Sequence, residues 1–296
     1  MRQPNYLAIL AAVLSVLAPS ALRAQAPSSG DTIVVTGELE RQARQKAQSY
    51  VRELGVATGE QPTARWFDRI CPRIIGLSKE HAAIVEGQVR QIVRDVGAPL
   101  ADQDCDANFA IVFTDGPERV VDRISGSRGG LPLADARELK EGHASIRWWY
   151  NTDLRSKDGM PASDAAVPWA ALDSPSYAPL PSGSSGTLPQ YNSSIVSTQA
   201  VRAIRSATVL IDVNRAEGVL LRSVVDYAAL VGLSEIALGA SPNDSVLSLF
   251  QPGGNRELSV RDRAFLRGLY QIAMDRSSDR QRRAIVNEMV AAKGSN

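Results

Sequence analysis

Histidine is almost missing from this chain. Among its 296 residues only His81 and His143 carry an imidazole, and neither has a second histidine at metal-ligand spacing. The His-Glu-x-x-His signature is therefore absent, and so is any Cys/His ligand set. No metal or other cofactor is expected. A nucleophile elbow is missing too: "PSGSSGT" (181–187) holds glycine and serine, but inside a Pro/Ser-rich stretch rather than between a strand and a helix. There is no P-loop, and the glycines of "ISGSRGG" (124–130) are wrongly spaced for a dinucleotide loop. Aromatic residues make up only 5% and the net charge is +1, which leaves neither a base-stacking platform nor an electrostatic footprint for nucleic acid.

Long apolar runs are equally scarce. The one clear run, Leu7 to Ala18, follows Arg2 and precedes Pro19 and small residues. That is the layout of a secretory signal peptide, residues 1–26, with cleavage after Ala24 or Ala26. No other segment reaches the length of about 18 apolar residues that a spanning helix needs, so no membrane span is expected after its removal. The expected location is periplasmic or secreted. Cysteine occurs twice, Cys71 and Cys105. An even count in an exported protein points to a disulfide, and only His81 lies between them as a further Cys/His ligand, too little for structural zinc.

What is present reads as an α/β (α+β) chain: a mixed sheet, C-terminal helices and one main domain. Residues 27–62 form a tail, with the short β-type run "DTIVVTG" and then a polar helix from Glu38 to Leu54 whose apolar stripe is narrow. The main domain spans 63–293. "TARWFDRICP" is extended. "LSKEHAAIVEGQVRQIVRDVGAP" is a helix with Ser78 as N-cap and Gly97 and Pro99 as its stop. "NFAIVFT" is a buried strand, which places Cys71 near the end of the first strand and Cys105 just before the second, a disulfide across neighbouring strands. "ASIRWWYN" alternates as a further strand. Residues 151–195 are Ser- and Pro-rich and read as a surface excursion interrupting the domain. Strand "ATVLIDV" and helix "GVLLRSVVDYAALVGLSEI" follow. Two last helices open with capping boxes, Ser259-x-x-Asp262 and Ser278-x-x-Gln281.

Asp226 is the most informative single residue. Between Ser223 and Ser234 it is the one charge on a stretch otherwise apolar all round, and such a helix is buried. A buried carboxylate must be paired or protonated. It is either an acid poised in a pocket or a structural group bonded to backbone, to an arginine such as Arg222, or to the C-terminal helices.

The second half, "ATVLIDV…LLRSVVDYAALVGLSEI…SPNDSVLSLF…LSVRDRAFLRGLYQIAM", with "CDANFAIVFTDG" upstream, resembles a family of uncharacterised proteobacterial secreted proteins and lipoproteins. In that family the equivalent helix looks like the zinc-binding helix of zincin metallopeptidases. The resemblance covers residues 64–292 in pieces. It implies Val225 and Ala229 at the two metal-ligand positions and Asp226 at the general-base position, with Gly232-Leu233 and Asn243-Asp244 at matching structural positions. Neither valine nor alanine can donate to a metal, so the resemblance implies a degenerate zincin-like scaffold.

The expected function is non-catalytic: binding a protein or cell-envelope component beside helix 218–236, with the aromatic strand Trp148, Trp149 and Tyr150 as the candidate surface or, equally, as core. Two other readings are compatible with the same residues. One is a metal-independent hydrolase of peptide or cell-wall substrates using Asp226 with His81 or His143, and the other is a purely structural envelope protein.

Overall fold

The computed structural model describes residues 29–125, 133–157 and 200–293. The signal segment 1–26 and residues 158–195 of the Ser/Pro-rich stretch lie outside them. From Glu40 onward the chain forms one compact unit.

Helix α1 runs from Ser29 to Glu53 and absorbs the "DTIVVTG" run, which is helical and not a strand. Helix propagation adds a hydrogen bond for each residue fixed, and no proline interrupts this stretch, so local β-propensity yields. The stripe of α1 is also more central than its narrowness suggests. Ala47, Tyr50, Val51 and Leu54, at i, i+3, i+4 and i+7, are all buried. Residues 40–62 therefore pack into the main body instead of preceding it.

The extended stretch after it divides into two short strands, β1 (Arg65–Trp66) and β2 (Pro72–Ile75). Helix α2 (Lys79–Asp95) then leads to β3 (Phe109–Thr114), with Ser78 capping α2 as expected. Helices α3 (Pro117–Ser125) and α4 (Leu133–Glu141) precede β4 (Ile146–Ser156) and β5 (Ala200–Asp212). Helix α5 (Leu221–Leu233), a 3₁₀ turn (Val246–Ser248), α6 (Val260–Gln271) and α7 (Ser278–Lys293) complete the described chain.

β5 organises the sheet. Its residue Val209 pairs with Ile111 of β3 in parallel and with Trp148 of β4 antiparallel, so these two strands flank it. β1 extends the β3 side, pairing with Ala203 and Ile204, and β2 lies parallel beyond β3. Side-chain alternation then separates two layers. Phe109, Ile111, Trp148, Val209 and Ile211 join the large core with α2 and α5. Trp149 and Leu210 meet Val121 of α3 and Leu139 of α4 on the other face.

Gly232 sets the approach of α5 to the sheet. A Cβ there would fall 2.0 Å from Cζ of Phe109, so only glycine fits. The disulfide between Cys71 and Cys105 is formed, with Cα atoms 5.9 Å apart. It joins the residue just before β2 to the loop before β3. The Ser259/Asp262 capping box is present in both directions. The Ser278/Gln281 pair forms none: Ser278 donates to Gly59 O, while the Gln281 amide accepts from Thr63 N and donates to Met274 O. Gln281 is wholly buried, and tertiary partners displaced the local one.

Candidate functional site

Helix α5 carries the residues on which a catalytic reading would depend. Val225 and Ala229 are both fully buried and apolar. Among the described residues no three His, Cys, Asp or Glu side chains converge as a metal site. Neither apolar side chain, Val225 or Ala229, can ligate zinc.

Asp226 is 6% exposed, and each carboxylate oxygen has a donor. Oδ1 accepts from Gln88 Nε2 of α2 at 2.6 Å, and Oδ2 accepts from the Leu258 backbone N–H at 2.9 Å. The arginine suggested by sequence, Arg222, instead pairs with Glu257. No hydrogen bond joins Asp226 to a histidine. His81 is exposed at the start of α2, with its ring nitrogen 2.8 Å from Ser78 Oγ. His143 is exposed in the loop before β4, 3.4 Å from Arg215. The structure does not bring these three side chains into one bonded group.

The aromatic strand divides between roles. Trp148 and Trp149 are buried at 2% and 3% exposure, on opposite faces of the sheet. Trp148 Nε1 donates to Ile236 O. The last four carbonyls of α5 each receive a side-chain donor: Ser234 Oγ to Leu230 O, Tyr150 OH to Val231 O, Trp66 Nε1 to Gly232 O, and Tyr270 OH to Leu233 O. A helix end lacks intrahelical partners for these carbonyls, and here side chains from three elements and the helix's own C-cap residue supply them. Burial pushes the pKa of both Tyr150 and Tyr270 upward, which keeps the hydroxyls protonated as donors.

Outside this cap lies a groove. One cavity of about 340 Å³ is lined by Gln61, Trp148, Tyr150, Arg202 and Glu235, among others. A second, of about 360 Å³, is lined by His143, Trp148, Tyr227 and Phe250, among others. The two share Glu138, Trp148 and Leu238. An aromatic ladder runs through the second: Trp148 meets Tyr227 edge-on with centroids 5.9 Å apart, and Tyr227 meets Phe250 at 6.2 Å. Phe250 ends the ladder at the surface, 37% exposed, and Leu238 is half-buried between the cavities. Arg202 forks onto both oxygens of Glu235 at 2.6 Å each. Glu235 also accepts from Ala64 N, so this pair fixes one wall of the groove.

A buried carboxylate that sequence reasoning recognised only as a capping residue is Asp262, with no exposure. It accepts from Tyr50 OH, from Ser245 Oγ at 2.6 Å, from Val246 N at 3.0 Å and from Ser259 N at 2.8 Å. Four donors from α1, the 3₁₀ turn and the α6 N-terminus satisfy it, which makes it a structural junction.

No family model, no curated protein and no solved structure matches this chain. Among the described residues no helix is long and apolar enough to cross a membrane.

Proposed function

We propose that this is an exported, periplasmic or secreted, non-catalytic protein that binds a protein or cell-envelope component in the groove beside β4 and the C-terminal end of α5. One observation carries the reading: the paired cavities that meet at Leu238, with Phe250 exposed in the wall of the second. An aromatic side chain left exposed beside a concave, partly apolar surface is the usual form of a recognition site. The charged wall of Arg202 and Glu235, with Glu138 and His143 along the rim, supplies polar contacts that fix a ligand's orientation.

Three further features support it. The Asp226 oxygens are both occupied by structural donors, which fits a structural carboxylate better than a catalytic one. The resemblance to a zincin-like scaffold with apolar ligand positions fits a binding protein that keeps a cleft without its chemistry. The Cys71–Cys105 disulfide fits an oxidising compartment.

The test is site-specific photocrosslinking in cells, with a photoreactive phenylalanine analogue at position 250. The expected result is a discrete crosslinked product that disappears when Leu238→Glu is added. Products that persist unchanged with Leu238→Glu, or no product at all, would overturn the assignment.

A further inference from the structure

A second concave surface lies on the body between α1 and α7 and shares no lining residue with the groove. This cavity, of about 440 Å³, is lined by four arginines, Arg44, Arg52, Arg282 and Arg283, against the single carboxylate of Asp279. That carboxylate is already taken by Arg282, whose guanidinium also donates to Ala57 O. Arg44 is steadied by Asn287 Oδ1 at 2.5 Å, with Glu40 3.5 Å away. Arg52 and Arg283 are exposed and make no side-chain hydrogen bond or ion pair among the described residues. The floor is apolar, with Val51 at 1% and Val286 at 4% exposure.

We infer that this cavity binds a phosphate group. Two guanidiniums are held in place by neighbouring groups, two are left with all their donors open, and all four line one concavity. Guanidinium forks match phosphate oxygens bidentately, and the low-dielectric floor strengthens each contact. A concave site lined by charge of one sign also focuses its field on an incoming counter-ion. The excess of positive charge favours a phosphate over a single carboxylate. Phosphate chemistry reaches an exported protein either as a lipid headgroup or as a soluble phosphate, and the site's donors suit both.

The experiment titrates the purified chain with inorganic pyrophosphate by calorimetry. In parallel it measures co-sedimentation with phosphatidylglycerol vesicles against phosphatidylcholine vesicles. The expected result is saturable pyrophosphate binding that falls with added salt. It weakens on the order of tenfold or more in Arg52→Gln/Arg283→Gln, and it is unchanged in the charge-matched Arg123→Gln/Arg256→Gln pair. Vesicle binding displaced by pyrophosphate assigns a headgroup, and pyrophosphate binding without vesicle binding assigns a soluble ligand. The inference is overturned if neither probe binds, if vesicle binding resists pyrophosphate, or if both variant pairs weaken binding equally. Arg52 and Arg283 are exposed and unpaired among the described residues, so their glutamine variants are expected to fold, which circular dichroism checks.

Discussion

The side-chain amide of Gln88 donates to Asp226 at 2.6 Å, tying α2 to α5 across 138 residues of sequence. The second oxygen of Asp226 holds the Leu258 backbone N–H, so one carboxylate fastens two helices and the loop before α6. Asp226→Ala leaves a buried N–H without a partner, and its expected cost is about 1–3 kcal/mol. Asp226→Asn keeps an acceptor for one donor and should cost less. Urea denaturation of the two variants checks the order, and equal stability of Asp226→Ala and the parent chain would show that these bonds contribute little.

Gly232 and Phe109 form the tightest helix–sheet contact. Gly232→Ala places a methyl group 2.0 Å from the Phe109 ring and should destabilise by about 1–3 kcal/mol through overpacking. In a Phe109→Leu background the same substitution should cost less, because the ring it strikes is gone. A thermodynamic cycle over the four chains measures that coupling.

The disulfide closes a loop between residues 34 apart, for which chain entropy gives about 3–4 kcal/mol. Cys71→Ser/Cys105→Ser should lower the melting temperature, and reducing agent should lower that of the parent chain to match.

Stability should also depend on pH at both ends of the scale. At the acid end the group is Asp68, whose carboxyl is held below its ordinary value by hydrogen bonds from the buried Arg155. A depressed carboxyl stabilises the fold at neutral pH. That contribution is lost as pH falls from the ordinary value of about 3.9 through its lower folded value. Asp68→Asn should therefore be less stable than the parent chain at pH 7, and the difference should vanish at strongly acid pH. The magnitude is modest because Asp68 is half exposed.

At the alkaline end Tyr50, Tyr150, Tyr227 and Tyr270 are all pushed above the usual tyrosine value, by burial in each case. Their contribution is complete below about pH 10 and is lost as pH rises beyond it. Absorbance at the tyrosinate band should show these four ionising together with unfolding. Smooth ionisation without loss of structure would contradict their burial.

The parts of this molecule legible in the sequence are those with short-range signatures. The burial of α5 follows from apolar residues on every side, the disulfide from an even cysteine count, and the Ser259 box from spacing alone. What escaped depends on distant partners. Gln281 matched a local pattern but is claimed by Thr63 and Met274. Asp262 reads as a cap, while Tyr50 and Ser245 reach it only once α1 and the 3₁₀ turn are in place. The alternation of Trp148 and Trp149 marked a strand, yet only the sheet reveals that both faces are covered. Phe250 and Leu238, which line the groove, carry no sequence signal beyond being apolar.

Recognition is expected at the groove centred on Leu238 and not through the chemistry of α5. Hydrogen exchange of the chain with and without its crosslinked partner, purified and added back, tests this most directly. Protection is expected over residues 235–251 and the start of β4, with exchange in the segment of α2 around Gln88 unchanged. Protection confined to α2 and the loop before α6, around Asp226, with the groove exchanging as freely as before, would contradict it.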